Sequence, residues 1–378
     1  MKKKKFNWPA VLLFLGSLAV GVAFGMVLGE ILVQEDLSFP QMLGRLGLCM
    51  VLMLLALWLQ TVIHETGHLV FGLLTGYGFS SFRLGSLMLV REDGKLQLRK
   101  YKIAGTGGQC LMTPPELVDG KMPYVLYNLG GCIFNLAIAA AAGIGWLLLP
   151  ETGLLSVFLM SMTVMGLVTA LANGLPVRMG LVQNDGKNTL DISRKPGALR
   201  AFRAQLLINQ SLAAGLRGKD MPDEWFWMPS QEERSDAISA SAGVMYCGRL
   251  MDEHRFDEAR QVMEVLLDPD TEILDLHRRG LTCDVIYCEL IGQRRWDVIE
   301  ALLSKEQRAF MKAMATNISV LRIQYLLALL HEKDAVKANA YLAQFEKQAK
   351  AYPYPCEVEG ERELIAIAGE RRAITDGI

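Results

Sequence analysis

Eighteen consecutive residues, 46–63, carry no charged side chain. The run ends in His64-Glu65-Thr66-Gly67-His68 and then resumes as an apolar stretch over 69–74. A bilayer core about 30 Å thick takes about 20 apolar residues of helix, so a run of this kind constrains the chain more than any other feature. Three further uncharged stretches have the same character: 9–29, 124–150 and 153–176. The last two are separated only by Glu151 and Thr152, which predicts a helical hairpin with a tight turn. Charge is divided to match. Residues 1–176 hold 12 of the 39 Lys and Arg and 9 of the 40 Asp and Glu. The first half therefore reads as membrane-embedded, with spans at about 9–30, 46–75, 124–150 and 153–176, and the second half as water-soluble. A net charge of -1 leaves no basic surplus for a nucleic-acid partner.

Lys2 to Lys5 precede the first span, and no small-residue cleavage site follows, so the segment reads as a retained anchor. The 34–40 loop has no Lys or Arg, while 76–123 carries seven, which by the positive-inside rule predicts cytoplasmic termini. Gly21, Gly25 and Gly29 form a small-residue stripe suited to close helix packing. Seven scattered cysteines without a C-x-x-C pair read as reduced packing thiols.

The chemistry concentrates in H-E-x-x-H. At 3.6 residues per turn, His64 and His68 share one helix face and can reach one zinc ion, with Glu65 beside the water that the metal would hold. An ionised carboxylate in a membrane helix costs on the order of 2.5–3.5 kcal/mol, so Glu65 needs a reason to be there. The other histidines, His254, His277 and His331, all lie in the polar half. A catalytic zinc site takes three protein ligands, and the third must be a carboxylate. Candidates are Glu30, Glu35, Asp36, Glu151, Glu92, Asp93, Glu116, Asp119, Asp185 and Asp191. Asp185 stands out, in Asn184-Asp185-Gly186-Lys187-Asn188 shortly after the span that ends at Asn173-Gly174-Leu175-Pro176.

Over residues 1 to about 190 these motifs resemble the site-2 proteases, intramembrane zinc metalloproteases that cut substrate helices within the bilayer. The family pairs H-E-x-x-H with a later Asn-x-x-Pro…Asp-Gly segment. The resemblance thus implies His64, His68 and Asp185 as ligands of Zn2+, Glu65 as general base, and Asn173 and Pro176 as motif residues, Asn173 on the substrate side. A G-P-x-x-N stretch is represented by Gly131-Cys132-Ile133-Phe134-Asn135, with Cys in place of Pro. This implies that Asn135 helps to hold substrate or the oxyanion. The gap from Pro176 to Asp185 is longer than the common family pattern and is similar to a bacterial branch whose loop ends in Asn-Asp-Gly. There is no PDZ domain. In its place Glu92-Asp93-Gly94-Lys95 joins two alternating stretches, a hairpin signal. The following Gly105-Thr106-Gly107-Gly108-Gln109-Cys110 resembles the family's membrane-dipping glycine loop, which makes Gly107 and Gly108 substrate-binding candidates. Such an element could hold an unwound substrate segment as an added strand.

From Ser230 the pattern is helical and loosely repeated. Arg255-Phe256-Asp257 returns as Arg295-Trp296-Asp297, and Tyr246, Tyr287 and Tyr325 keep a similar step. Residues 242–269 resemble a tetratricopeptide unit, and stacked hairpins of this kind offer a groove to a cytoplasmic protein partner. The expected architecture is an all-α polytopic membrane protein of about four spans with a small β-hairpin. It comprises a metalloprotease domain (1–190, with hairpin and glycine loop at 79–112), a linker (191–229) whose Trp225-Phe226-Trp227 lies at the membrane interface, and a cytoplasmic helical-repeat domain (230–378). The expected function is an intramembrane zinc endopeptidase of a multi-pass cell-membrane protein, acting on transmembrane proteins or peptides. Two alternatives are a catalytically silent membrane scaffold or receptor, and a CAAX-type membrane metalloprotease. The second needs an E-x-x-x-D helix that occurs only at Glu232 to Asp236.

Overall fold

The computed structural model describes residues 8–32, 38–92, 94–103, 106–149, 153–179 and 182–376. The chain forms two compact units. One comprises Met1–Gly78, Pro115–Met179 and Gln183–Leu190; the other comprises Phe79–Pro114, Gly180–Val182 and Asp191–Ile378.

The first unit is built on α1 (Trp8–Leu32), α2 (Phe39–Leu74), α3 (Val125–Leu148) and α4 (Leu154–Gly174), and α5 (Asp185–Arg194) begins in it. Among the described residues α2, α3 and α4 are long and apolar enough to cross a membrane. The first expected span is also helical, and its described apolar stretch is the shorter Ala10–Ala19. The expected tight turn at Glu151-Thr152 lies outside the described residues. Helix α2 starts seven residues before the uncharged run, because Ser38 and Gln41 close a capping box and Pro40 suits the first turn. Glycines let α2 and α3 meet backbone to backbone: a Cβ on Gly67 would lie 2.3 Å from the Gly130 carbonyl oxygen. Among the described residues the Gly21, Gly25 and Gly29 stripe has no such neighbour, since a Cβ there would meet none of their atoms within 4 Å. Helix α1 instead approaches α4 at Gly16, against Leu171.

The second unit differs from the expected boundaries. The predicted hairpin is present, but as one edge of a four-stranded sheet in the order β3-β2-β1-β4, with β1 Gly78–Leu84, β2 Leu87–Glu92, β3 Lys95–Lys100 and β4 Gly108–Thr113. The β2–β3 register runs from Leu87↔Lys100 to Glu92↔Lys95. Alternation along β2 buries Met88 and Val90. They pack with Ala213, Leu321, Phe345, Tyr352 and Val358, which is why 79–114 groups with the C-terminal helices rather than with 1–190.

Residues 191–229 are likewise folded structure and not a linker. They contain α6 (Pro196–Ala213), which packs on α7 (Ala237–Asp252). The aromatic triplet expected at a membrane interface is tied up within this unit. Phe226 is buried with Ile208 and Met221, Trp225 packs beside them, and the Arg200 guanidinium lies 3.8 Å over the Trp227 ring. All seven cysteines are free and buried, as expected of packing thiols.

Three helix pairs follow: α7 with α8 (Phe256–Leu267), α9 (Asp275–Ile291) with α10 (Trp296–Leu302), and α12 (Ile318–Leu326) with α13 (Ala335–Ala349); α11 (Lys305–Ala313) and α14 (Pro355–Asp376) complete the unit. The repeat is visible in the backbone. His254, Arg294 and Lys333 have φ of 59°, 52° and 55°, and each stands just before the second helix of its pair. A non-glycine residue in the left-handed region is uncommon, so three at matching positions mark one turn used three times. The Arg-aromatic-Asp motif is legible for the same reason: Arg255 and Arg295 immediately precede α8 and α10.

Candidate metal centre

His64 and His68 lie near the C-terminal end of α2 and are buried, with Glu65 between them buried as well. Asp185 is the first residue of α5. The ligand-capable atoms of His64, His68 and Asp185 lie within 4.8 Å of one another, and this is the one such group among the described residues. Asp185 Oδ2 is 3.0 Å from His64 Nε2 and 3.4 Å from His68 Nε2, and the two Nε2 atoms are 3.2 Å apart. Of the other carboxylates considered, Glu116 and Asp119 are exposed, and Asp191 is buried but outside the cluster. Glu35, Asp36, Asp93 and Glu151 lie outside the described residues.

Each ligand is held from behind. His68 Nδ1 is 2.8 Å from the Tyr127 carbonyl oxygen in α3. A carbonyl only accepts, so Nδ1 carries the proton and Nε2 presents its lone pair to the cluster. His64 Nδ1 is 2.7 Å from Asn135 Oδ1, also in α3. The ring of His64 lies flat against Gly131, where a Cβ would come within 2.5 Å of the ring. These two glycines, Gly67 and Gly131, were not singled out from the sequence as parts of the site. Their signal was only the placement of small residues next to a motif histidine and in the G-x-x-x-N stretch.

The seat of Asp185 follows from Asn184. The Asn184 side chain donates to the carbonyls of Ala172 and Leu175 at the end of α4, and its Oδ1 accepts from the backbone N–H of Val177 and of Lys187. The last bond is an N-cap of α5. With the Asn184 backbone N–H also donating to the Val177 carbonyl at 3.3 Å, residues 177 and 184 are brought together. Arg178–Met179 and Val182–Gln183 pair as a short two-stranded ladder between them, and Asp185 still emerges at the end of α4. Gly186 allows this approach, since a Cβ there would come 2.0 Å from the Gly174 carbonyl oxygen.

Of the remaining candidates, Asn173 turns its side-chain amide back to the Thr169 carbonyl within α4. Asn135 is completely buried. Gly107 and Gly108 fall in the second unit, where the Gly107 carbonyl accepts from the Gly85 N–H and the Gly108 carbonyl from buried Arg83.

With both rings neutral, three acceptors converge: the lone pair of His68 Nε2, a carboxylate oxygen, and the facing nitrogen of His64. Such groups repel unless a cation stands between them, either a proton on one imidazole or a divalent metal ion. Two imidazoles and one carboxylate are a donor set suited to zinc and to other first-row divalent ions, so the residues fit a metal. Compared with protein-family models, curated protein sequences and solved structures, the chain matches none.

Proposed function

We propose that this chain is a membrane-embedded zinc endopeptidase of the site-2 protease type. The observation that carries the proposal is the convergence of His64, His68 and Asp185 from two distant segments, with buried Glu65 one residue from the first ligand. Zinc bound there would supply Lewis acidity and bring the pKa of water toward 7. The side chains do the rest. His64, His68 and Asp185 fix the ion, and Glu65 takes a proton from the attacking water and returns it to the leaving amine, the ordinary acid-base exchange of peptide hydrolysis. Three long apolar helices favour a protein or peptide substrate that is itself in the membrane. β3 is an edge strand, with Leu96 and Leu98 exposed and only its end tied down by the Lys100 N–H donating to the Ala351 carbonyl, and its first residues suit an extended substrate segment added as a strand. Both termini are assigned to the cytoplasm, and the helix pairs of the second unit to a tetratricopeptide-like partner-binding role.

The CAAX-type alternative is less favoured, because Asp236 of its E-x-x-x-D spacing is spent on capping α7, accepting from the N–H groups of Ile238 and Ser239. A silent scaffold has no use for a buried Glu65. The deciding experiment compares membrane peptides in cells that carry the normal chain or Glu65→Gln, together with the zinc content of both purified proteins. Loss of specific cleavage products with near-stoichiometric zinc in Glu65→Gln is expected. A Glu65→Gln chain that still produces them ends the general-base assignment, and a normal chain that binds no zinc ends the proposal.

A further inference from the structure

We infer that Gln60 and Asn135 form a hydrogen-bonded relay that fixes the orientation and proton position of His64, so that Asn135 is a positioning residue for the metal ligand and not a group that meets substrate. The inference rests on the proposed metal site and adds to it.

The chain of reasoning starts at a backbone carbonyl. Met162 O, in α4, can only accept, and Gln60 Nε2 lies 2.8 Å from it. That contact assigns the two ends of the Gln60 amide, leaving Oε1 on the opposite side. Asn135 Nδ2 lies 2.7 Å from Gln60 Oε1 and 2.9 Å from the Gln60 backbone oxygen. Both of these accept, so the nitrogen end of the Asn135 amide must face them. Its Oδ1 must then face His64, and Nδ1 of His64 must carry the proton it donates across 2.7 Å. In the neutral ring that a metal requires, this leaves the lone pair on His64 Nε2, directed at Asp185 and His68. Neither amide of this relay can be flipped without placing two donors or two acceptors in contact.

Burial makes the relay stringent. Gln60 and Asn135 are both 0 % exposed, so water cannot substitute for a lost partner. The amides fit because α4 has no side chain at Gly166, where a Cβ would come 2.8 Å from Gln60 Nε2. Buried primary amides in an apolar helix bundle are expensive unless each group is paired, and here the pairing runs from α4 through α2 and α3 to one imidazole. Asn135 has no hydrogen-bonding capacity turned to a solvent-facing surface, which is what a substrate or oxyanion contact would need.

The test is zinc affinity of the full chain in detergent, measured by chelator competition without substrate, and the visible absorption of the Co(II)-substituted protein. Asn135→Leu removes the acceptor and is expected to weaken zinc binding about 10–100-fold and to change the Co(II) bands. Asn135→Asp keeps an acceptor for Nδ1 but sets its second oxygen against Gln60 Oε1 and the Gln60 carbonyl, both acceptors, and is expected to bind zinc more weakly than the normal chain and more tightly than Asn135→Leu. Gln60→Met leaves Asn135 only the backbone carbonyl and is expected to fall between the normal chain and Asn135→Leu. Unchanged affinity and spectrum in Asn135→Leu, with activity alone lost, would overturn the relay in favour of a substrate role. If Asn135→Leu does not fold, Gln60→Met decides: zinc affinity and Co(II) bands equal to those of the normal chain overturn the relay. A normal chain without zinc affinity defeats the site itself and is thereby distinct from failure of the relay.

Discussion

Replacing Gly67 by Ala adds one methyl group at the tightest glycine contact between α2 and α3. Its Cβ would stand 2.3 Å from the Gly130 carbonyl oxygen, 2.7 Å from the carbonyl carbon and 2.8 Å from Gly131 Cα, and all three atoms are backbone. No rotamer relieves this, so α2 and α3 must separate. Reaching a contact of even 3.0 Å requires a shift of about 0.7 Å in close-packed surroundings. Two bonds that hold the imidazoles cross this same interface, His68 Nδ1 to Tyr127 O at 2.8 Å and His64 Nδ1 to Asn135 Oδ1 at 2.7 Å. The same separation would lengthen them to roughly 3.4–3.5 Å, at the limit of hydrogen bonding. Overpacking of this kind costs about 1–3 kcal/mol, and loss of the bonds behind metal ligands weakens binding about 10–100-fold. Thermal unfolding and chelator competition on the detergent-solubilised chain read both effects. Gly25→Ala, at a position with nothing within 4 Å, serves as the matched control and should be silent in both. A Gly67→Ala chain with the melting temperature and zinc affinity of the control would refute the steric argument.

Three other outcomes are expected. Asn184→Ala should lower zinc affinity by releasing Asp185 from α4, although it touches no ligand atom, and equilibrium dialysis against zinc checks it; unchanged affinity would mean that α5 is seated by other contacts. Glu357 lines a cavity of about 380 Å³ in the second unit, and burial, reinforced by the Glu361 carboxylate, pushes its pKa from 4.5 up to about 7. The protonated form is favoured on folding, so this stability is complete below about pH 4.5 and lost as pH rises through 7. Glu357→Gln should therefore stabilise the chain at pH 8 by at most about 3 kcal/mol, less where water in the cavity screens the charge, and be nearly neutral at pH 5; melting curves at the two pH values that shift equally contradict the assignment. Deleting 230–378 strips Met88 and Val90 of most of their partners, leaving Ala213, Tyr101 and Leu212. Limited proteolysis should then cut within 79–114, and a resistant sheet would show that it folds without the C-terminal helices.

The candidate ligands His64 and His68 were legible in the sequence because a helix converts fixed spacing into a shared face, and the long uncharged runs announced α2, α3 and α4 by their length. Asp185 stood out by its neighbours, but what seats it, the Asn184 side chain bonding back to α4, has no periodic signature. The sheet illustrates the limit more clearly. The Asp-Gly turn signalled β2 and β3, whereas β1 and β4 are recognised only once Met88 and Val90 are seen packed on residues more than two hundred positions away. The 191–229 segment read as a linker because its prolines and aromatics suggested a boundary. Pro196 instead opens α6, and Phe226 enters a core. Gly67 was a blank position in a motif, and its meaning exists only in the distance to another helix.

Helix α2 runs for 36 residues, about 54 Å, of which the uncharged portion ahead of His64 covers about 27 Å. Against a hydrocarbon slab of about 30 Å, that portion alone would nearly fill a membrane, and a helix crossing one would then set the histidines toward its rim, with the six apolar residues 69–74 still to be accommodated. Mismatch of this sort is met by tilting, or by local thickening of the lipid. On the proposed function, acyl-chain length would then act on the chemistry: a thinner membrane would lift Glu65 toward the aqueous boundary, and a thicker one would draw it under.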